Sequence, residues 1–293
     1  MVLNVFLLFW VAIAIGFSYV FIKMGEESLA PITEMAFRAL IGFIGLLVLS
    51  LVLRKDLIGH LKDFWRFLVF AILGIVILWL TLAFGEEYVA AGISSVTITT
   101  MPLMTFVIMV FILRKQKFSS FGMAGLIIGI FGIVLVVGIN NILHGGTTIF
   151  GVLIILGGVV FFSINGILVP IIGKGIDTVI TTTYFVGIAS VILWILTFIF
   201  EQPLSSTITE KGIIAELYMG LISTASAFIA YYLLIKRAGP FFASISFYFV
   251  PISGVIGSFL ILGERLNGLQ LVGIVVVLFG VYLINREKFK KTG

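Results

Sequence analysis

Cysteine is absent from this 293-residue chain, which excludes a disulfide framework, a thiolate zinc site and a cysteine nucleophile. Charge is scarce too: Asp, Glu, Lys and Arg make up 11% of the residues, against roughly 25% in soluble domains. The only two histidines, His60 and His144, sit in polar connections without a repeated metal-ligand spacing and read as solvated loop residues. No phosphate loop, G-x-S-x-G elbow or H-E-x-x-H pair is present, so nothing points to an ATP-driven pump, an intramembrane hydrolase or any other enzyme. No cofactor, metal or nucleic acid is expected.

What is abundant is apolar surface, 61% of the residues. Lipid offers no partner for backbone N–H and C=O groups, so a chain this apolar must satisfy them inside helices or closed barrels. Long continuous apolar runs select helices. The first run, Leu3 to Ile22, has no basic residue before it and no A-x-A-like cleavage site, and is expected to be a retained first span. With about 20 residues needed per crossing, spans are predicted at 3-22, 31-53, 66-85, 91-113, 119-139, 149-171, 180-200, 212-235, 240-262 and 267-285. The expected class is all-α integral membrane, with the lipid bilayer and a small-molecule substrate as partners; oligomeric state is left open.

Orientation follows the bias of Lys and Arg toward cytoplasmic loops. With the N-terminus inside, one side receives Arg54, Lys55, Lys62, Arg66, Arg114, Lys115, Lys117, Lys174, Lys236, Arg237, Arg286, Lys288, Lys290 and Lys291. The other holds only Lys23, Lys211 and Arg265 but collects Glu26, Glu27, Glu86, Glu87, Glu201, Glu210 and Glu264. A multi-pass protein of the cell membrane with both termini cytoplasmic is predicted.

An internal repeat underlies this topology. Pro102, Gly125 and Gly132 recur as Pro251, Gly273 and Gly280, an offset of 148 to 149 residues. Halves 1-142 and 143-293 of five spans each would lie inverted in the membrane, a plan that places a binding site near the midplane between them. Gly122, Gly125, Gly129 and Gly132 share one helix face and predict close packing of the fifth span, because small residues are the usual contact device in lipid. Pro102 and Pro251 predict kinks, since each lacks a helix N–H and crowds the carbonyl four residues back, at Ile98 and Phe247. Nearby hydroxyls, Thr97, Thr99, Thr100, Ser244, Ser246 and Ser253, either re-satisfy freed carbonyls or face an aqueous cavity.

Arg38 lies about two turns into the second span, where a basic residue is costly and demands a partner. Either it pairs with a carboxylate, Glu34 one turn earlier being the nearest along the helix, or it meets an anionic substrate group. The matching region of the second half, near Thr183, has no basic residue. Lys23 ends the first span and is expected to snorkel to the interface. Polar and aromatic residues at mid-span depth supply further cavity walls, so the candidate substrate contacts are Ser18, Tyr19, Arg38, Trp79, Thr100, Asn165, Tyr232 and Tyr248. Glu34, Glu86, Glu87, Glu216 and Glu264 are placed in the outer third of spans or in loops, which argues against a buried-carboxylate proton relay.

Three segments carry a family likeness. Gly16-Phe17-Ser18-Tyr19 through Lys23, Pro31 with Ala36-Phe37-Arg38, and Pro251 through Leu262-Gly263-Glu264-Arg265-Leu266 to Gly273 and Gly280 resemble the EamA-type branch of the drug/metabolite transporter superfamily. Two departures stand out: Ile15 replaces the family's tryptophan, and Lys115-Gln116-Lys117-Phe118 replaces the first-half Gly-Glu-Arg-Leu. The resemblance implies ten spans in two inverted five-helix repeats around a central cavity, moving amino acids or related metabolites, often outward. The alternative class is a non-transporting membrane scaffold or assembly factor.

Overall fold

A computed structural model describes residues 2–113, 120–137, 147–203, 208–244 and 246–291. The basic stretch Arg114 to Lys117, Asn141 and His144 lie outside the described residues, as do the side chains of Tyr232, Tyr248, Pro102 and Ser244. Among the described residues the chain is helical without strands. The elements are α1 Val2–Gly25, α2 Pro31–Val52, α3 Ile58–Glu86, α4 Ala91–Ile112 and α5 Ser120–Val137. They continue as α6 Thr147–Ile172, α7 Thr178–Phe200, α8 over 210–244, α9 over 246–262 and α10 Gly268–Lys291. Among the described residues seven of these are long and apolar enough to cross a bilayer, and α5, α9 and α10 contribute shorter apolar stretches.

The third helix begins earlier than residue 66. A 3-10 turn, Ile58–Asp63, leads into it, with Ile58, Leu61, Phe64 and Trp65 all exposed. Hydropathy alone misses this turn because Lys62, Asp63 and Arg66 dilute it; such a segment suits the membrane interface, and Arg66 lies 2.9 Å from Asp63.

Helix pairs explain the bundle. The most extensive contact is α5 on α10, where backbones touch: a Cβ on Gly132 would come 2.6 Å from the Val277 nitrogen, and one on Gly280 would come 2.7 Å from the Gly125 carbonyl oxygen. The expected glycine face is therefore the α5–α10 seam only in part, since Gly122 and Gly129 turn to Phe106 and Leu103 of α4. Next come α2 on α7, α1 on α9, α3 on α6, α2 on α8 and α1 on α8. The first turn of α2 has no side-chain cap of its own; Glu201, beyond the end of α7, accepts from the Ile32 and Thr33 amides at 2.9 and 2.7 Å and so ties the two helices together.

The two prolines act differently. Before Pro102, α4 breaks at Thr99–Thr100, and the hydroxyls of Thr97, Thr99 and Thr100 each donate to a carbonyl three or four residues back in the same segment. In α9 the helix runs on through Pro251, with the Ser253 hydroxyl 2.7 Å from the Ala12 carbonyl of α1. At the end of α9, Gly263 adopts φ 68°, a left-handed cap that favours glycine, and the Glu264 carboxylate accepts from Ser258.

Candidate functional site

A cavity of about 400 Å³ runs through the bundle from Arg38, Tyr19 and Leu82 to the exposed 173–175 turn before α7. One end of the bundle carries the loops rich in Glu, and the other carries Arg54, Lys55, Lys62 and Lys174. The cavity lining reaches the basic end at Lys174 and includes no residue of the 26–30 or 87–90 turns at the acidic end. Its walls are largely aromatic and aliphatic, with Phe162, Phe185, Phe228 and Phe247 among them.

Arg38 is 5% exposed and forms the polar centre of this space. It is positioned by a close crossing of α2 and α8: a Cβ on Gly220 would lie 3.0 Å from the Gly42 nitrogen, one turn from Arg38. Where α8 passes, it widens into a π-helical stretch, Tyr218–Ser226, a distortion frequent at functional sites. That stretch presents Ser223 and Thr224 together. Arg38 donates from Nη2 to the Ser223 hydroxyl at 3.0 Å and from Nε to the Thr224 hydroxyl at 3.2 Å. Its guanidinium lies 4.1 Å from the centre of the Trp79 ring, a cation–π stack. Nη1 is buried without a hydrogen-bond partner.

The carboxylate pairing expected for Arg38 is not formed; among the described residues no carboxylate oxygen lies within ion-pair distance of it. Glu34 shares its helix face, but Gly25 at the end of α1 lies directly against the Glu34 carboxyl. Two neutral hydroxyls and a π face hold the cation instead, and Nη1 is left without a partner.

Of the sequence-predicted contacts, Ser18, Tyr19, Arg38, Trp79 and Asn165 all line this cavity. Ser18 spends its hydroxyl on the Ile15 carbonyl at 2.7 Å. Asn165 sits opposite Gly74 in a π-helical turn of α3, Ile72–Val76, where a glycine Cβ would come 3.0 Å from the Asn165 Cγ, and its Oδ1 has no partner. Thr100 stands apart: it is fully buried, does not line the cavity and donates to the Thr97 carbonyl at 2.6 Å. Tyr232 and Tyr248 fall outside the described side chains, whereas Tyr231 does line the space. Sequence reasoning missed Ser223, because one serine in a helix carries no signal until its partner across the bundle is known.

The largest correction concerns acids. Span depth puts Glu34, Glu86 and Glu216 in the outer third of spans or in loops and argues against buried carboxylates, yet they are 0, 0 and 3% exposed, and none of their carboxyl oxygens has a hydrogen-bond partner. Depth along a helix does not measure lateral cover, and neighbouring helices and the 26–30 turn close over this end. In that turn Glu26 pairs with Lys23 at 3.1 Å, so Lys23 is tied locally rather than snorkelling alone. Burial raises the Glu26 carboxyl above its usual range, against the opposing pull of Lys23.

A polytopic helical bundle with a half-open central cavity and a buried cation is the architecture of a membrane carrier. The profile of the EamA-like transporter family matches residues 2–138 and again residues 149–286, and the chain belongs to that family. It is similar to YoaV, an uncharacterized transporter of Bacillus subtilis, at 25% identity over 92% of this chain and 91% of that protein. It is also similar to YedA, an uncharacterized inner membrane transporter of Escherichia coli, at 27% identity over 96% and 90% of the two chains. A protein of known crystal structure shares the fold, with a TM-score of 0.70 over 98% of both chains at 14% identity.

Proposed function

We propose that this membrane transporter carries small amphipathic metabolites bearing an anionic group, amino acids being the leading class, by alternating access and in the direction of export. The observation that carries this reading is Arg38, a guanidinium in the cavity lining fixed by Ser223, Thr224 and Trp79, whose Nη1 is buried without a hydrogen-bond partner. A planar fork held this way suits a carboxylate, and the phenylalanines around it suit an apolar body.

The ten spans fall into inverted halves 1-142 and 143-293 in this reading. Two observations support it. The same family profile matches each half once. Exchanging each helix for its counterpart five elements away also maps the contacts onto one another: α1 on α9 becomes α6 on α4, and α3 on α6 becomes α8 on α1, all of which occur. Positive-inside counting supports a cytoplasmic basic end and cytoplasmic termini; the cavity mouth at Lys174 would then load from within, as export requires.

The test is uptake and counterflow of a metabolite panel in proteoliposomes. Saturable flux lost in Arg38→Ala is expected. No flux for any member, in protein that is folded and correctly inserted, would favour the scaffold class instead.

A further inference from the structure

The buried acids at the closed end are unused by this reading. Glu34 comes from α2, Glu86 from the end of α3 and Glu216 from α8, and all three lie within electrostatic range of Arg38. Glu34 also feels Glu216 and Glu86. Tyr19 of α1, which lines the cavity beside Arg38, lies within electrostatic range of both Glu86 and Arg38. On α4, Ser94 is fully buried beside Glu86 without closing a hydrogen bond of standard geometry. The other charged or titratable groups facing the cluster are Lys23 in the last turn of α1, Glu26 just after it, Glu264 after α9 and Tyr218 on α8.

The charge arithmetic does not close. Lys23 is paired with Glu26, so three carboxyls share one guanidinium, and that guanidinium bonds to hydroxyls rather than to them. A buried carboxylate with no donor and no counter-ion is strongly disfavoured in a membrane protein, where such residues mark ion pathways and proton relays. Among the described residues no three acidic or histidine side chains converge closely enough to hold a metal ion. A proton needs only one oxygen.

We propose that Glu34, Glu86 and Glu216 form a proton-binding station at the acidic end of the cavity, linked through Tyr19 and Arg38 to the anion the cavity carries. The linkage has a definite sign. Protonating the station removes negative charge near Arg38 and strengthens its hold on an anion; by reciprocity the anion promotes proton uptake. Proton and anion are then bound together, and the direction of net flux follows the sum of their two gradients. This linkage rests on the proposed transport reading, whereas proton binding by the station does not.

The full chain in lipid nanodiscs, titrated with pH and followed by infrared difference spectroscopy, tests the station without any substrate. A protonated-carboxyl band that titrates in the wild type, shrinks in Glu34→Gln, Glu86→Gln and Glu216→Gln, and persists in the exposed-acid control Glu27→Gln is expected. Should the Gln variants fail to fold, dicyclohexylcarbodiimide labelling of the wild-type protein, read residue by residue by mass spectrometry, asks the same question; labelling at these three positions that fades as pH rises is expected. A band unchanged in the triple variant, or labelling confined to other acids, would overturn the station, as would a response to sodium at fixed pH in place of one to protons. Linkage is read separately, by flux of a panel substrate in vesicles. Wild-type flux and gradient response in the triple variant would remove proton linkage while leaving the transporter reading intact, whereas no flux in any protein, with the infrared band present, would remove the transporter reading and keep the station.

Discussion

The two ends of the cavity are built from different materials. At the basic end, charges are exposed and paired in water: Lys55 meets Asp177 at 2.8 Å, both side chains about one-third exposed, beside the open turn at Lys174. At the acidic end, beneath the Lys23–Glu26 pair, three carboxyls are buried and unpaired: Glu34, Glu86 and Glu216 are covered by helices that meet through Gly25, Gly42 and Gly220. Solvated pairs are cheap to make and break, whereas buried carboxyls without donors are costly. The cost sits at the closed end, where a change of state would release it. Alternating access would require the two ends to trade these environments.

The most direct way to break the comparison is accessibility, and a chain without cysteine is ready for it. Single cysteines at Lys174 and at Thr33, the latter fully buried beside the acidic end, should differ completely in labelling by a water-soluble maleimide: prompt at 174, absent at 33. Equal labelling would mean that the closed end is not closed. In right-side-out cells, labelling at position 174 from outside would reverse the assigned orientation.

Arg38 sharpens the comparison from the middle of the cavity. Arg38→Ala should weaken substrate binding about 10- to 100-fold, the equivalent of roughly 1.5 to 3 kcal/mol for hydrogen bonds to a charged group. Arg38→Lys, measured by the same binding titration, should recover only part, because the ammonium loses the planar fork and the stack on Trp79. An Arg38→Glu, Glu34→Arg exchange should restore nothing, since the two side chains form no ion pair. Rescue by that exchange would mean the pair forms in the membrane after all.

How much of this was legible beforehand follows from what each signal measures. Apolar runs gave the helices because hydrocarbon thickness dictates their length, and the glycine stripe of the fifth span announced close packing without naming the partner, which is α10. Arg38, Trp79 and Asn165 stood out by being costly at their depth, and all three reach the cavity. Lateral cover was not legible. Glu86 and Glu87 are adjacent in the chain, yet Glu86 is fully buried and Glu87 is exposed, a difference that depends on helices far away in sequence. Nor could the partner of Arg38 be read, because Ser223 and Thr224 are 185 and 186 residues distant and are brought forward together by a π-helical turn that no residue pattern announces.

Smaller effects come from the scaffold that holds the two ends apart. Gly280→Leu should destabilise the protein by about 1 to 3 kcal/mol, the usual cost of overpacking, because the added side chain meets the Gly129 nitrogen where a Cβ alone would come to 2.6 Å. Thermal unfolding in detergent reads this directly. Gly157→Leu on α6, where a Cβ would meet nothing within 4 Å, is the control and should leave the melting temperature nearly unchanged.

The smallest effect separates the basic end by pH. Asp177 caps α7 by accepting from the Val179 amide at 2.8 Å and also receives the Lys55 ammonium. Its partial burial works the other way, but these hydrogen bonds and the nearby charge hold its carboxyl below the usual aspartate range. A carboxyl whose folded value is depressed stabilises the fold fully at neutral pH, and that contribution disappears as pH falls through the lowered value. Asp177→Ala should therefore lower stability by about 1 kcal/mol at neutral pH, the typical worth of a helix cap, and by less in acid. Lys55→Ala, which spares the cap, should cost no more than about half as much and lose even that at high salt, because exposed pairs are screened. Equal losses in the two variants at neutral pH and low salt would show that the ion pair, rather than the helix cap, holds this end.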